Sequence, residues 1–483
     1  METVHLKTVD PISQSLLVSA AQRGIKLNWD RYERLQPQDG FLRVGLSCPF
    51  GCMQGPCRID PFERGPDRGF CGLDRDGMVA ALLLRLVLHG TLEALNDLTA
   101  PDLSLKISWP ASLKETVLRA LKNLGGEDLS LEEIYRSTLF LQRPTQSPEF
   151  LVCQALRLGV MTLGLSELAR TRKKEKKLQV KAGYGLLAGD DVIIGVCGQP
   201  FPGLLEALQQ EVSKPSSSIR LASLGDWIPL SNGFLPIACT SGEAELLLTS
   251  GRINLLLAGR GTDPSIFELC RSLEIPLVVP LEDEEVEDLL RLAKEHGGRS
   301  EKTFIPDPSL VQEAPVSMDL GTMGSRESAW ALLGGADTPQ QALGWIPTEV
   351  GAALRGEYHL ASWGDAALWM LKKALVPGNG QPDFRILADR QGPQLAVNSL
   401  AAAGSLKNLK GICFTGLKDC RDLAFALGLA SLGLRVCLGV PIPIWGSERV
   451  RHILAENLSR VNGVLTHFDH PPEAQEILDW FLK

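Results

Sequence analysis

The stretch Val192-Ile-Ile-Gly-Val196-Cys-Gly-Gln-Pro200, with Leu204, Leu205, Leu208 and Val212 following at helical spacing, sets the reading of the fold. A short apolar run closed by Gly and Pro reads as a buried strand, and the helical period begins a few residues later. The alternation continues through Ile219–Ser223, then Phe234–Cys239 with a helix over Glu243–Thr249. Next come Ile253–Ala258, a helix over Pro264–Leu273, Pro276–Pro280, and an acidic helix from Glu282. Strand and helix alternating over short connections predict a parallel α/β domain. The acidic run Glu282–Asp288 suits a solvated helix start, where negative charge meets the positive end of the helix dipole.

Towards the C-terminus, residues 331–385 are broken by Gly and Pro around short helices. The alternation returns from about residue 386. Gly411–Thr415, Leu434–Val440 and Val461–Thr466 read as strands, and Asp422–Leu432, Glu448–Leu458 and Pro472–Leu482 as helices. Residues 1–182 read as helical outside a cysteine-rich loop. In Asp76–Gly90, Val79, Leu82, Leu83, Leu86 and Val87 repeat with helical period, and Gly90 reads as a stop. A second apolar helix spans about Pro148–Leu168 and ends in the basic run Arg170–Lys177. That run reads as a solvated helix end, with a docking patch for an acidic partner as the alternative. The expected architecture is therefore α plus α/β and multidomain: a helical domain over 1–182 and α/β domains over 183–330 and 331–483.

Composition narrows the function classes. The chain has 483 residues, 44% hydrophobic and 22% charged, with a net charge of −8. That is enough apolar material for a large core. An acidic balance argues against a nucleic-acid partner, whose affinity rests on basic surface. The most apolar stretch, Leu423–Trp445, carries Arg435 with several Gly and Pro, so no membrane insertion is expected. The N-terminal METVHLKTVDPISQ lacks the layout of a secretory signal, and a cytoplasmic location is expected. Of 11 cysteines, four lie between Cys48 and Cys71 and seven after residue 150. In a large cytoplasmic chain such a pattern points to metal or redox chemistry before disulfides.

The four early cysteines are the sharpest signal: Ser47-Cys48-Pro-Phe-Gly-Cys52-Met-Gln-Gly-Pro-Cys57-Arg-Ile, then Cys71-Gly72. Four thiolates in a loop punctuated by Gly51, Gly55 and Pro56 can wrap a cubane, whose sulfurs need backbone N–H groups turned towards them. Arg58 and Arg68 would offset the negative charge of a thiolate-bound cluster. The spacing also admits structural zinc or unligated thiols. The isolated last cysteine favours a [4Fe–4S] cluster over zinc, whose sites more often show two paired knuckles.

Beyond spacing, Trp29-Asp-Arg-Tyr-Glu33, Gln36-Pro-Gln38, Gly55-Pro-Cys-Arg-Ile-Asp-Pro-Phe62 and Gly65-Pro-Asp-Arg-Gly-Phe-Cys-Gly72 resemble the N-terminal region of the anaerobic nickel–iron carbon monoxide dehydrogenases. The resemblance weakens beyond residue 100, and the chain is shorter than such enzymes usually are. It implies that the two α/β domains are Rossmann-like. It also implies that Cys48, Cys52, Cys57 and Cys71 hold a relay [4Fe–4S] cluster, one per chain, with one extra residue in the first gap. The family's subunit-bridging cluster uses two cysteines whose positions hold Asp39 and Ser47 here, so that cluster is expected to be absent.

The catalytic nickel–iron–sulfur cluster of the family is held by one His and five Cys. Gln199 stands at the His position and Cys239 at the first Cys. The other turns read Gly259-Arg-Gly261, Gly416-Leu-Lys-Asp419, Leu438-Gly-Val440 and Gly446-Ser-Glu448. A soft, sulfur-rich cluster is not held by Gly, Leu and Val, so the nickel cluster is expected to be lost. Cys197 and Cys420 lie near lost ligands and, with Gln199 and Cys239, mark a residual pocket. Cys153, Cys270, Cys413 and Cys437 sit in apolar patterns and read as buried core.

The resulting expectation is a redox protein that keeps the relay cluster and serves a protein partner or larger enzyme complex in one-carbon metabolism, as a homodimer or mixed dimer. The alternative is an oxidoreductase with an altered cluster at Cys197, Cys239 and perhaps Cys420. A third reading keeps the cluster as a structural staple only.

Overall fold

The computed structural model describes the chain apart from residues 1–5, 36–39, 49, 51–53, 63, 99–106, 108, 127, 143–145, 172–177, 232, 281–285, 297–303, 305, 318–328, 374–383 and 389–391. Helices come first: α1 (Pro11–Gln22), α2 (Asn28–Leu35), α3 (Gly40–Arg43), α4 (Arg75–Asn96), α5 (Ala111–Asn123), α6 (Glu132–Gln142) and α7 (Pro148–Thr171). Asp74 caps α4 by accepting from Gly77 N–H at 2.9 Å, and Asp10 caps α1 by accepting from Ser13 N–H at 2.9 Å. Each cap satisfies a first-turn donor that the helix itself leaves open.

Helix α4 runs on past Gly90, which is no stop. A Cβ at Gly90 would lie 2.2 Å from Cys420 O, so this glycine lets another helix come close. By length and composition, α4 and α7 could cross a membrane, but 67% and 83% of their apolar windows are buried inside the protein. Their apolar faces are core faces.

The first α/β unit holds β1 (Leu178–Ala182), β2 (Val192–Cys197), α8 (Pro202–Val212), β3 (Ile219–Leu224), a ribbon of β4 (Pro229–Leu230) and β5 (Gly233–Phe234), and β6 (Ile237–Cys239). It continues with α9 (Ala244–Leu248), β7 (Leu255–Ala258), α10 (Pro264–Ser272), β8 (Leu277–Val278) and α11 (Val286–Glu295). Part of the acidic run, 282–285, lies outside the described residues.

The second unit holds β9 (Gln312–Ser317), β10 (Trp330–Gly334), α12 (Trp345–Leu354), β11 (His359–Ser362), α13 (Gly364–Lys372), β12 (Phe384–Leu387) and α14 (Gly392–Ala402). It ends with β13 (Leu409–Phe414), α15 (Cys420–Ser431), β14 (Arg435–Leu438), α16 (Glu448–Ser459), β15 (Val464–Thr466) and α17 (Ala474–Leu482). The broken stretch 331–385 therefore keeps the strand–helix alternation.

The described strands outside the ribbon form one 13-stranded sheet in the order β15-β14-β13-β10-β11-β12-β9-β1-β6-β3-β2-β7-β8. Its neighbours are parallel except β1 and β9, which pair antiparallel from Leu178↔Val316 to Ala182↔Gln312 and join the two units. Parallel strands are covered on both faces, which is why β2, β7 and β10 read as continuous apolar runs.

Helices α4 and α7 share their core with the second unit: Leu83, Val87, Leu156 and Leu163 lie in one cluster with Leu423, Phe425, Leu427 and Phe414. Helix α1 packs on the first unit, with Leu16 and Ala20 beside Leu246 and Leu248.

Candidate functional site

The cysteine loop is built on a short backbone pairing. Ser47 and Arg58 form an isolated antiparallel bridge, Cys48 N–H donates to Cys57 O at 2.8 Å, and Ile59 N–H donates to Leu46 O at 3.0 Å. Leu46 and Ile59 are fully buried and anchor the pair to the core under α4. Cys48 and Cys57 thus stand half-buried on adjacent backbone segments. The chain returns before α4, where Phe70 N–H points at Cys57 Sγ at 3.3 Å and Cys71 follows, exposed.

Arg68 donates to Gly72 O at 2.9 Å and clips this return, while the Arg58 guanidinium lies over the Phe41 ring at 5.8 Å. Phe62 and Phe70 flank the loop and are 71% and 78% exposed. Three expected ligands, Cys48, Cys57 and Cys71, lie in this one loop, while Cys52 lies outside the described residues, as does Asp39. A thiol that receives a backbone N–H matches the donor pattern around cluster-bound sulfur, while Cys48, Cys57 and Cys71 are not gathered around one point among the described residues. Ser47 is buried in the bridge.

The second location is the junction between the two α/β units. Turns after β3 and β6 meet turns after β10, β11 and β13. Lys418 Nζ binds Asp226 Oδ1 at 2.6 Å, and Asp226 Oδ2 accepts Gly198 N–H at 2.6 Å. Ser241 donates its N–H to Asp365 Oδ1 at 3.0 Å and its hydroxyl to Asp365 Oδ2. Asp337 N–H reaches the same Asp365 oxygen at 2.9 Å. Burial pushes the Asp365 carboxyl up to about 6, with Lys418 pulling the other way.

A cleft lined by Trp227, Trp363, Asp365, Lys418, Asp419 and Arg421 opens here, with only about 10 Å³ of free volume. That is close to the minimum for one water. Its side chains are carboxylates, cations and indoles, a donor set that does not suit a soft nickel–iron–sulfur cluster.

Of the residual-pocket residues, Cys197 and Cys239 remain neighbours. Cys197 and Cys239 end β2 and β6, are both buried, and share one apolar cluster with Cys270. Burial, with Asp226 beside Cys197 and Glu243 beside Cys239, pushes both thiols well above the ordinary range. The Gln199 backbone pairs with that of Arg260, at 2.9 and 3.2 Å. Cys420 begins α15 against Gly90 of α4, and burial with Glu93 nearby pushes its thiol up to about 11. Among the described residues, no three His, Cys, Asp or Glu side chains stand together as a metal site.

Sequence reasoning passed over Asp226, Asp337, Asp365, Lys372 and Lys418. Their signal was present: Asp337 and Asp365 each follow within three residues of an apolar strand, where such folds place ligands.

No family model matches the chain. It is 49% identical over 83 residues to carbon monoxide dehydrogenase 1 of Carboxydothermus hydrogenoformans, covering 17% of this chain and 13% of that protein. It is 48% identical over 82 residues to the carbon monoxide dehydrogenase of Rhodospirillum rubrum, covering 17% and 13%. A longer match, 32% over 136 residues, is to the beta subunit of carbon monoxide dehydrogenase/acetyl-CoA synthase of Moorella thermoacetica, covering 26% and 20%. By sequence, the chain spans about an eighth to a fifth of these curated relatives.

Among solved structures, the Ni-free carbon monoxide dehydrogenase of Thermococcus sp. AM4 superimposes with a TM-score of 0.81 at 16% identity, covering 99% of this chain and 96% of that one. Carbon monoxide dehydrogenase IV of Carboxydothermus hydrogenoformans gives 0.77 at 18% identity, covering 99% of each chain. At these identities the likeness is one of fold.

Proposed function

For a chain that is carbon monoxide dehydrogenase-like in fold and in part of its sequence, we propose an electron-transfer role: a protein that keeps one [4Fe–4S] cluster and does not oxidise carbon monoxide. The observation that carries the reading is the paired loop in which Cys48 N–H donates to Cys57 O and Phe70 N–H points at Cys57 Sγ, with Cys71 next in the chain. Cys48, Cys52, Cys57 and Cys71 would hold the cluster, which when bound supplies one-electron redox chemistry.

The chain's own residues set its surroundings. Leu46, Ile59 and Met78 wall the loop from the core side. Phe70 N–H points at Cys57 Sγ. Arg58 and Arg68 offset negative charge, and exposed Phe62 and Phe70 leave an apolar rim for a redox partner beside exposed Cys71.

Loss of the nickel cluster is supported by the junction's donor set of carboxylates, cations and indoles, in which Lys418 is paired with Asp226. Loss of the bridging cluster is supported by Ser47 and Asp39 at the two cysteine positions. We place the protein in the cytoplasm of an anaerobic metabolism, in a homodimer, a mixed dimer or a larger complex. The likeness to a subunit of carbon monoxide dehydrogenase/acetyl-CoA synthase supports a partner in one-carbon chemistry.

The test is the iron, sulfide and nickel content of anaerobically purified protein, with EPR of the reduced sample. The expected result is about four irons per chain, no nickel and one cubane signal. About twice that iron, or stoichiometric nickel, would overturn the reading. So would stoichiometric zinc in its place.

A further inference from the structure

Seven cysteines lie outside the loop assigned to the cluster, and the electron-transfer role uses none of them. The fold sets two of these, Cys413 and Cys437, side by side. Strands β13 and β14 run parallel as neighbours, and Cys413 and Cys437 are direct partners in their register, between the pairs Ile412↔Val436 and Phe414↔Leu438. Successive residues of a strand face opposite sides of the sheet, so partners in register share a side. The core follows this rule. Cys413 and Cys437 join one cluster with Ile477, Trp480 and Phe481 of α17, while Ile412, Phe414, Val436 and Leu438 belong to the cluster on the other face.

Both cysteine side chains are fully buried, and the Cys437 thiol lies within hydrogen-bonding reach of Cys413. Neighbouring strands stand about 4.8 Å apart. A disulfide takes Cα atoms about 4.4–6.8 Å apart, with the two side chains turned to each other. The register meets the first condition, and the shared face with the thiol contact meets the second. The other buried thiols are not placed this way. Cys197 and Cys239 end β2 and β6, which β3 separates in the sheet, and Cys270 lies on α10.

We propose that Cys413 and Cys437 are a buried dithiol that hydrogen peroxide converts to an intrachain disulfide. The step balances. One sulfur attacks a peroxide oxygen, the O–O bond breaks, and a sulfenic acid and one water result. The second sulfur displaces the sulfenic oxygen, which leaves as a second water. In sum two S–H bonds and the O–O bond break, the S–S bond forms, the sulfur pair loses two electrons, and the peroxide is reduced by two. Hydrogen peroxide is small and uncharged, the kind of oxidant that enters an apolar core. Burial keeps the Cys413 thiol protonated, so the reaction is slow and the dithiol is the resting form. The bond ties β13 to β14 just before the chain turns at residues 415–418 and at Gly439, where Gly439 N–H already donates to Phe414 O at 2.7 Å. It therefore locks the native strand pair at the edge of the junction.

The test treats the full, anaerobically purified chain with hydrogen peroxide and stops the reaction with catalase while the circular dichroism is still unchanged. The protein is then unfolded in N-ethylmaleimide, which blocks free thiols, and digested without reductant. Peptide mass spectrometry is expected to find the Cys413 and Cys437 peptides joined, two hydrogens lighter than their sum, and separate again after treatment with a dithiol reductant. In folded Cys437→Ala, the Cys413 peptide is expected to join no other. Maleimide on both cysteines of the treated wild type overturns the proposal. So does either one joined to a different cysteine, or oxidation that ends at sulfinic acid on one of them. Should Cys437→Ala not fold, the wild-type map alone decides between these outcomes. Iron content and EPR play no part in the readout, so the result stands apart from the cluster assignment.

Discussion

Asp365 shows how single-residue surroundings fix chemistry at the junction. Burial raises its carboxyl to about 6 from an ordinary value of 3.8, because the desolvation of a carboxylate outweighs the pull of Lys418. The sign follows from linkage. The folded state holds this proton more tightly than the unfolded chain, so the stabilisation is fully present below about pH 4 and is lost as pH rises through about 6. Replacing Asp365 by Asn is expected to flatten the wild-type fall in melting temperature over that window, and parallel pH series of thermal melts check it.

Thiol reactivity is ordered by the same physics. Cys71 is exposed, whereas Cys197, Cys239 and Cys413 are buried with thiols pushed well up. In folded protein stripped of iron, an alkylating reagent is expected to label Cys71 first and those three only on unfolding, as read by peptide mass spectrometry.

Helix packing turns on two close approaches. A Cβ at Gly90 would sit 2.2 Å from Cys420 O, and one at Gly428 would sit 2.4 Å from Gly159 O. Helices α4, α7 and α15 therefore meet backbone to backbone. Gly90→Val and Gly428→Val are each expected to cost about 1–3 kcal/mol, the usual range for overpacking, or more where backbone must move, as read by denaturant unfolding.

The same glycines mark where sequence reading stops. Gly90 looks like a helix stop because a lone sequence displays glycine's local preference and hides the neighbour that demands it. The strands around Val192 and Gly411 were legible because burial on both faces leaves continuous apolar runs. Residues 331–385 were not, since the elements there are short and separated by Gly and Pro. At the site, the cysteine loop was legible by spacing, and the structure adds its backbone pairing of Cys48 with Cys57. The charge network was not: Ser13, Glu243, Asp337 and Lys372 come from four distant segments, and each alone reads as a surface residue.

At the scale of the molecule, the helical N-terminal region lacks a closed core of its own. Leu83, Val87, Leu156 and Leu163 pack with Leu423, Leu427 and Phe425 of α15 in one cluster. Arg421, 1% exposed, ties the same faces together through Asp97 at 2.6 Å and Ser166 at 3.2 Å. Gly446 N–H donates to Val44 O at 2.7 Å, so the segment leading into the cysteine loop also leans on the C-terminal unit. Cutting the chain after residue 182 would expose the α4–α7 face to water, and two apolar helices with an open face associate with whatever covers them. A fragment of residues 1–182 is therefore expected to be insoluble or molten alone. It should lose the near-ultraviolet circular dichroism of fixed packing and fail to keep stoichiometric iron. Co-expressed with residues 329–483, which carry α15, it is expected to become soluble and to bind iron. A fragment 1–182 that is monomeric, cooperatively folded and iron-loaded on its own would show that the cysteine loop needs nothing from the second unit, and the shared core would then be a docking interface between independent domains.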